Sequence, residues 1–221
     1  MKAVKQDRRS QRTRQLLNDA LVALMLEKNY DAITVNEIIA RANIGRSTFY
    51  GHFYDKDDLL AGNIERLMRS LGQRPAAGPS GFDSAALFEH IHAQRALFKA
   101  LARGGGLAIA LKASQRVMVA VIERSLAERA GPGQPAVPLP ALAQYLAATF
   151  IALLRWWLDN DLPYAPAELE AMYQTLVAPG LERALAPASH SRQITHRRCL
   201  HPRRHPPRPV RPTTSPRRSD R

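Results

Sequence analysis

The residues best suited to hold a charged ligand are concentrated in Thr34–Leu60, which reads TVNEIIARANIGRSTFYGHFYDKDDLL. Phe49 and Phe53 stand one helical turn apart, and with Ile38, Ile39, Ala42 and Ile44 they form an inward apolar set. Arg46, Ser47, Thr48, Tyr50, Gly51 and His52 are left facing outward. A short helix offering a guanidinium, hydroxyls, a phenol and an imidazole, and no carboxylate, supplies donors for base edges and phosphate oxygens without like-charge repulsion. The chemistry predicted is noncovalent recognition of a polyanion. Elsewhere there is no nucleophile elbow, phosphate loop, metal-ligand spacing or convincing carboxylate pair, so neither an enzyme nor a cofactor or metal is expected. His90 and His92 are two residues apart and point to different helix faces. His196, Cys199, His201 and His205 lie among arginines in a segment with no apolar stripe.

The elements that position this surface follow from periodicity. Leu16, Leu17, Ala20, Leu21, Leu24 and Met25 make one stripe of a first helix ending at Asn29-Tyr30-Asp31. Thr34 followed by Glu37 is a capping box, predicting a short helix over about Val35–Ala42. Asn43-Ile44-Gly45 supplies a tight turn in which Asn and Gly tolerate positive φ, and the next helix opens at Arg46 or Ser47 and ends near Phe53. Two short helices on such a turn are a helix-turn-helix. A fourth helix begins near Lys56, with Asp55, Asp57 and Asp58 suited to its positive end. Gly72–Gly81 reads as a loop. Further helices are predicted at about Asp83–Ala102, Gly105–Arg129, Pro140–Asn160 and Pro166–Leu185, making the chain all-α.

Length and composition set the frame. The chain has 221 residues, 45% hydrophobic and 23% charged, enough for one or two folded domains. The net charge is +13, from 32 Lys+Arg and 19 Asp+Glu. Residues 51–186 balance, so the surplus sits at the two ends, which points to nucleic acid ahead of an anionic membrane surface. From Pro187 onward Arg, Pro, His and Ser dominate, and a disordered basic tail is expected. The single cysteine, Cys199, and an N-terminus without an uninterrupted apolar run predict a cytoplasmic chain. Ala141–Leu158 is apolar, yet Arg155 within it would be costly in a bilayer, so a buried helix is expected and no membrane partner.

Thr34, Ile38, Ala42, Gly45, Ser47, Thr48, Phe49, Tyr50, His52, Phe53, Lys56, Leu59 and Leu60 are spaced as in the DNA-binding domain of the TetR family of bacterial transcriptional regulators, which this stretch closely resembles. The resemblance implies a three-helix head whose third helix enters the major groove. Tyr50, Lys56 and Thr34 would then contact phosphates, and His52 the backbone or a base edge. Gly51, where many relatives carry a larger residue, removes one possible base contact and leaves Arg46, Ser47 and Thr48 to read sequence.

The stretch Phe150–Tyr164 and the amphipathic helix after it are similar to the last two helices of one group within that family. The resemblance implies a homodimer through a four-helix interface, here drawn from Phe150, Leu154, Trp157, Met172, Tyr173 and Leu176. It also implies a pocket for an unidentified small-molecule effector, for which His90, Phe98, Met118, Tyr145 and Trp156 are candidates. The expected organisation is a helix-turn-helix DNA-binding domain at 1–54, a helical effector-binding and dimerisation domain at 55–186 with a connecting helix at 55–71, and the tail at 187–221. The expected function is a ligand-responsive regulator, a repressor on a near-palindromic double-stranded operator. A transcriptional activator, or an effector-independent DNA-binding or adaptor protein, is the alternative.

Overall fold

The computed structural model describes residues 2–72, 81–130 and 134–186, with side chains from Arg8 onward. The expected tail at 187–221, with its His and Cys residues, lies outside them, as do residues 73–80 and 131–133 of the expected loops and the Lys2 and Lys5 side chains. Among the described residues the architecture is all-α.

Helix α1 runs Lys2–Glu27, a 3-10 turn covers Tyr30–Ala32, and α2 (Val35–Ala42), α3 (Arg46–Tyr50) and α4 (Lys56–Leu71) follow. The basic residues before Gln15 thus continue α1 as helix. The apolar stripe of α1 is buried at Leu17, Leu21, Leu24 and Met25, against Ile38, Phe49, Phe53, Leu59 and Leu60.

The body comprises α5 (Ser84–Ala93), α6 (Arg95–Ala102), α7 (Gly106–Arg129), α8 (Leu139–Asp159) and α9 (Pro166–Leu185). The sequence predicts one helix over Asp83–Ala102, and the chain breaks it at Gln94, with φ −102° and ψ 25°. The segment holds no Gly or Pro. Its halves pack on different partners, α5 on α9 and α6 on α1 and α7, and that tertiary demand overrides local propensity. At the end of α8, Asp161 and Leu162 adopt left-handed backbone, φ 64° and 57°. The Asp161 carboxylate pairs with Lys99 of α6.

An aromatic cluster fills the middle of the body. Phe88 stacks on Phe150 at 4.6 Å, and Phe82, Trp157 and Tyr173 meet these two rings edge-on. The polar tips are satisfied, since Trp157 Nε1 donates to the Tyr164 carbonyl at 3.0 Å and the Tyr173 hydroxyl to the Leu146 carbonyl at 3.2 Å. By length and composition α8 could cross a membrane, but Leu142, Leu146, Phe150, Leu154 and Trp157 place one face of it in this core.

The interface drawn from sequence is corrected by burial. Phe150, Leu154, Trp157 and Tyr173 are buried by their own chain and offer no surface to a second copy; of the interface residues drawn from sequence, Leu176 is exposed and Met172 half-buried. A 3.6-residue stripe marks a buried face without saying whose body buries it.

Candidate nucleic-acid interface and effector region

The helix-turn-helix is held by local hydrogen bonds that the sequence spells out. The Glu37 N–H donates to Thr34 Oγ1 at 3.3 Å, while the Thr34 N–H and hydroxyl both donate to Glu37 Oε2 at 2.9 Å. The Thr34 hydroxyl therefore serves the cap first. Lys28 pairs with the same carboxylate, and these donors hold Glu37 far down, at about 2, the Lys28 bond contributing most. Asn43 ends α2 in the left-handed region, φ 50°. Of the turn's two candidates for positive φ only Asn43 uses it, since Gly45 lies at φ −68°.

Phe49 is fully buried, its ring 5.3 Å from Tyr50 and 6.0 Å from Phe53. This anchors α3 with Arg46, Ser47, Thr48, Tyr50 and Gly51 exposed and His52 half-buried beside Phe53. The Arg46 guanidinium lies 5.7 Å over the Tyr50 ring, and Arg46 also donates to Asn36 Oδ1 at 3.5 Å, so α2 and α3 present one joint surface. At Gly51 a Cβ would stand 3.4 Å from the Ser47 carbonyl, an ordinary contact, so packing does not demand glycine there. The sequence reading missed Tyr54, which is 85% exposed just beyond α3. Its signal is its position four residues after Tyr50 with no inward partner of its own.

Lys56 has a different placement from the one expected. Its ammonium donates to the carbonyls of Tyr30, Asp31 and Ile33 at 2.9, 3.1 and 2.9 Å, and lies 4.7 Å over the Tyr30 ring. All three donors of the group are thereby used inside the chain. Lys56 locks the turn before α2 to the start of α4. Beside it the buried Tyr30 hydroxyl donates to Asp57 at 2.6 Å. Burial, reinforced by that carboxylate, raises the Tyr30 phenol far above its ordinary range.

This corner also meets the body. The Gly105 N–H donates to Asp31 Oδ1 at 3.0 Å, and Asn29 Nδ2 to the Arg103 carbonyl at 2.8 Å. A Cβ at Gly104 would stand 2.3 Å from Asn29 Oδ1, and one at Gly106 3.0 Å from the Tyr30 ring. The three glycines, legible in sequence only as a helix separator, permit this close approach.

The residues proposed for an effector pocket are not brought together. Phe98 and Met118 are core, His90 is half-buried with its pKa lowered by burial, and Tyr145 and Trp156 are 51% and 43% exposed on the outer side of α8. Instead a groove of 380 Å³ opens between α4 and α7. Among the described residues no three His, Cys, Asp or Glu side chains cluster as metal ligands would.

Residues 17–62 match the family model described as bacterial regulatory proteins, tetR family. YxbF, an HTH-type transcriptional regulator of Bacillus subtilis strain 168, is 43% identical over 61 residues, which cover 27% of this chain and 16% of the relative. Among solved structures, a TetR transcriptional regulator from Streptococcus agalactiae 2603V is 26% identical at a TM-score of 0.56, covering 79% of this chain and 98% of that one. NalD, the secondary repressor of the MexAB-OprM multidrug efflux pump in Pseudomonas aeruginosa, shares the fold at 18% identity and a TM-score of 0.53, covering 81% and 99%.

Lys56→Met removes three charged hydrogen bonds to carbonyls and is expected to lower stability by about 2 kcal/mol in urea unfolding. A lysine reserved for phosphate would leave stability unchanged and reduce DNA affinity alone. Glu37 tests the cap by pH. Its depressed pKa contributes stability that is fully present above the unfolded value of about 4.3 and lost as pH falls toward about 2. The difference in melting temperature between the native chain and Glu37→Gln is therefore expected to be constant near neutrality and to shrink from about pH 5 downward.

Proposed function

Since the chain belongs to the TetR family of bacterial transcriptional regulators, a family of DNA-binding proteins and not of enzymes, we propose that it is a cytoplasmic, ligand-responsive repressor that binds a near-palindromic operator as a homodimer. The observation that carries this reading is the exposed, carboxylate-free surface Arg46–His52, mounted on a fully buried Phe49. Residues 1–54 act as the reading head, and residues 55–186, with α4 as connector, as the effector-binding and dimerising body. Arg46, Ser47 and Thr48 read base edges, with Gly51 letting the backbone come close. Tyr50, His52 and Tyr54 contact the backbone, and Thr34 reaches phosphate only as far as its capping role allows. Lys56 enters as a positioning residue.

The dimer surface is drawn afresh from exposure. Tyr145, Ala148, Ala152 and Trp156 form an outward stripe on α8, and Leu176, at 55% exposure, stands out from α9. Apolar side chains repeating at helical spacing on a solvent face support a partner helix there. Two-fold pairing would set two α3 helices roughly 34 Å, or a multiple of it, apart along DNA. An effector favouring a conformation with the wrong spacing lowers operator affinity by its differential binding.

The test is selection of genomic DNA fragments by the full-length chain and by a chain ending at Ala186. Recovery of one short palindrome by both is expected; indiscriminate recovery that vanishes on truncation would assign binding to the tail. On the selected site, Tyr50→Ala should weaken binding to all sequences about equally, and Arg46→Ala should relax discrimination at particular base pairs by roughly tenfold or more. Analytical ultracentrifugation tests the dimer: Leu176→Glu combined with Ala148→Glu is expected to give folded monomers, and a dimer surviving both substitutions would place the interface elsewhere.

A further inference from the structure

The groove between α4 and α7 has a defined chemistry. Val117 and Val121, both nearly buried, make its apolar floor. Its rim carries Arg69 from α4 and Arg116 and Arg124 from α7. Arg116, Ala120 and Arg124 follow at intervals of four, so they share one face of α7, and the small Ala120 leaves a gap between two guanidinium groups.

Among the described residues that line the groove, one carboxylate faces these cations. Glu65, its side chain 18% exposed, accepts from Arg69 at 2.7 Å and from Arg116 at 2.9 Å. Arg124 has no ion-pair or hydrogen-bond partner among the described residues. Three guanidinium groups against one carboxylate leave the rim net positive, and guanidinium matches planar carboxylates through paired hydrogen bonds. The volume, 380 Å³, falls at the small end of ligand pockets.

We infer that this groove binds a small organic carboxylate, its apolar body on Val117 and Val121 and its oxygens between Arg116 and Arg124, with Arg116 exchanged from Glu65 to the ligand. The inference rests on the ligand-responsive reading above and supplies the chemical class of its effector.

The test titrates the full-length chain with hexanoate, hexanol and inorganic phosphate at matched ionic strength, followed by calorimetry and by the arginine Nε–H resonances. Saturable hexanoate binding is expected, at least tenfold tighter than hexanol or phosphate. Arg116→Gln with Arg124→Gln should weaken it at least tenfold with the helical circular dichroism unchanged. Glu65→Gln, which removes the competing carboxylate, should tighten it severalfold. Absence of saturable binding, phosphate binding as tight as hexanoate, or hexanoate binding indifferent to the double substitution would each overturn the inference. The two readings separate on the selected DNA fragment. Hexanoate bound in the groove with DNA affinity unchanged upholds the site and removes its regulatory role. Release of DNA by another small molecule, persisting in the double variant of a chain that binds no hexanoate, upholds effector control and overturns the groove as its site.

Discussion

The burial of Tyr30 is the constraint on which the arrangement of the head depends. This residue sits where the chain leaves α1, where α4 begins and where the α6–α7 corner arrives, and each neighbour is shaped to it. Asp57 accepts its hydroxyl, the Lys56 ammonium covers its ring while binding its carbonyl, and Gly106 lets the backbone of α7 approach its flank. A buried phenol lacking its acceptor would cost roughly 1–3 kcal/mol, so the polar contacts are what make a tyrosine tolerable at this place. Because Lys56 also binds the carbonyls of Asp31 and Ile33, the residues leading into α2 are fixed relative to α4. The attitude of α3 follows from that, since Phe49 has a single pocket to occupy.

The body solves a different problem. Phe82, Phe88, Phe150, Trp157 and Tyr173 interlock in its interior and satisfy their own polar groups. The space is occupied by side chains in well-matched edge and stacked contacts, each worth about 0.5–1.5 kcal/mol beyond burial. Charged groups lie on the flank of the body, where α4 and α7 bring Arg69, Arg116 and Arg124 together.

Much of the head was legible in the sequence because its determinants are local. Thr34 and Glu37 lie three residues apart and close their own box, and the inward pair Phe49 and Phe53 assigns the outward residues of α3 by elimination. The body was less legible because its determinants are contacts between distant segments. Nothing between Asp83 and Ala102 breaks a helix, and the bend at Gln94 exists because the two halves find different partners. The same holds for Phe150 and Trp157 against Tyr145 and Trp156. All four belong to one apolar helix, and its packing on α7 and α9, with Phe88 of α5 stacked on Phe150, decides which side becomes interior. Lys56 shows the limit most directly, since a lysine at a helix start reads as a solvated charge until Tyr30, Asp31 and Ile33 are seen to aim their carbonyls at it.

The electrostatics of the head follow from the same economy of partners. Carboxylates stand close to the recognition surface in sequence, and each of those named next accepts a hydrogen bond or ion pair within the chain. Glu27 binds Arg41 and Glu37 binds Lys28 and Thr34; Asp31 accepts from Gly105 and Asp57 from Tyr30; Asp55 and Asp58 accept from backbone N–H groups at the start of α4. At physiological ionic strength a charge is felt over about 8 Å, so acidic groups turned outward here would repel the phosphates that Arg46 and Tyr50 would meet. Holding them in caps and ion pairs serves two purposes at once, because the bonds that fix α2 and α4 also partly offset their negative charge near α3. Neutralising one of these carboxylates by substitution would therefore loosen the scaffold more than it would improve the surface.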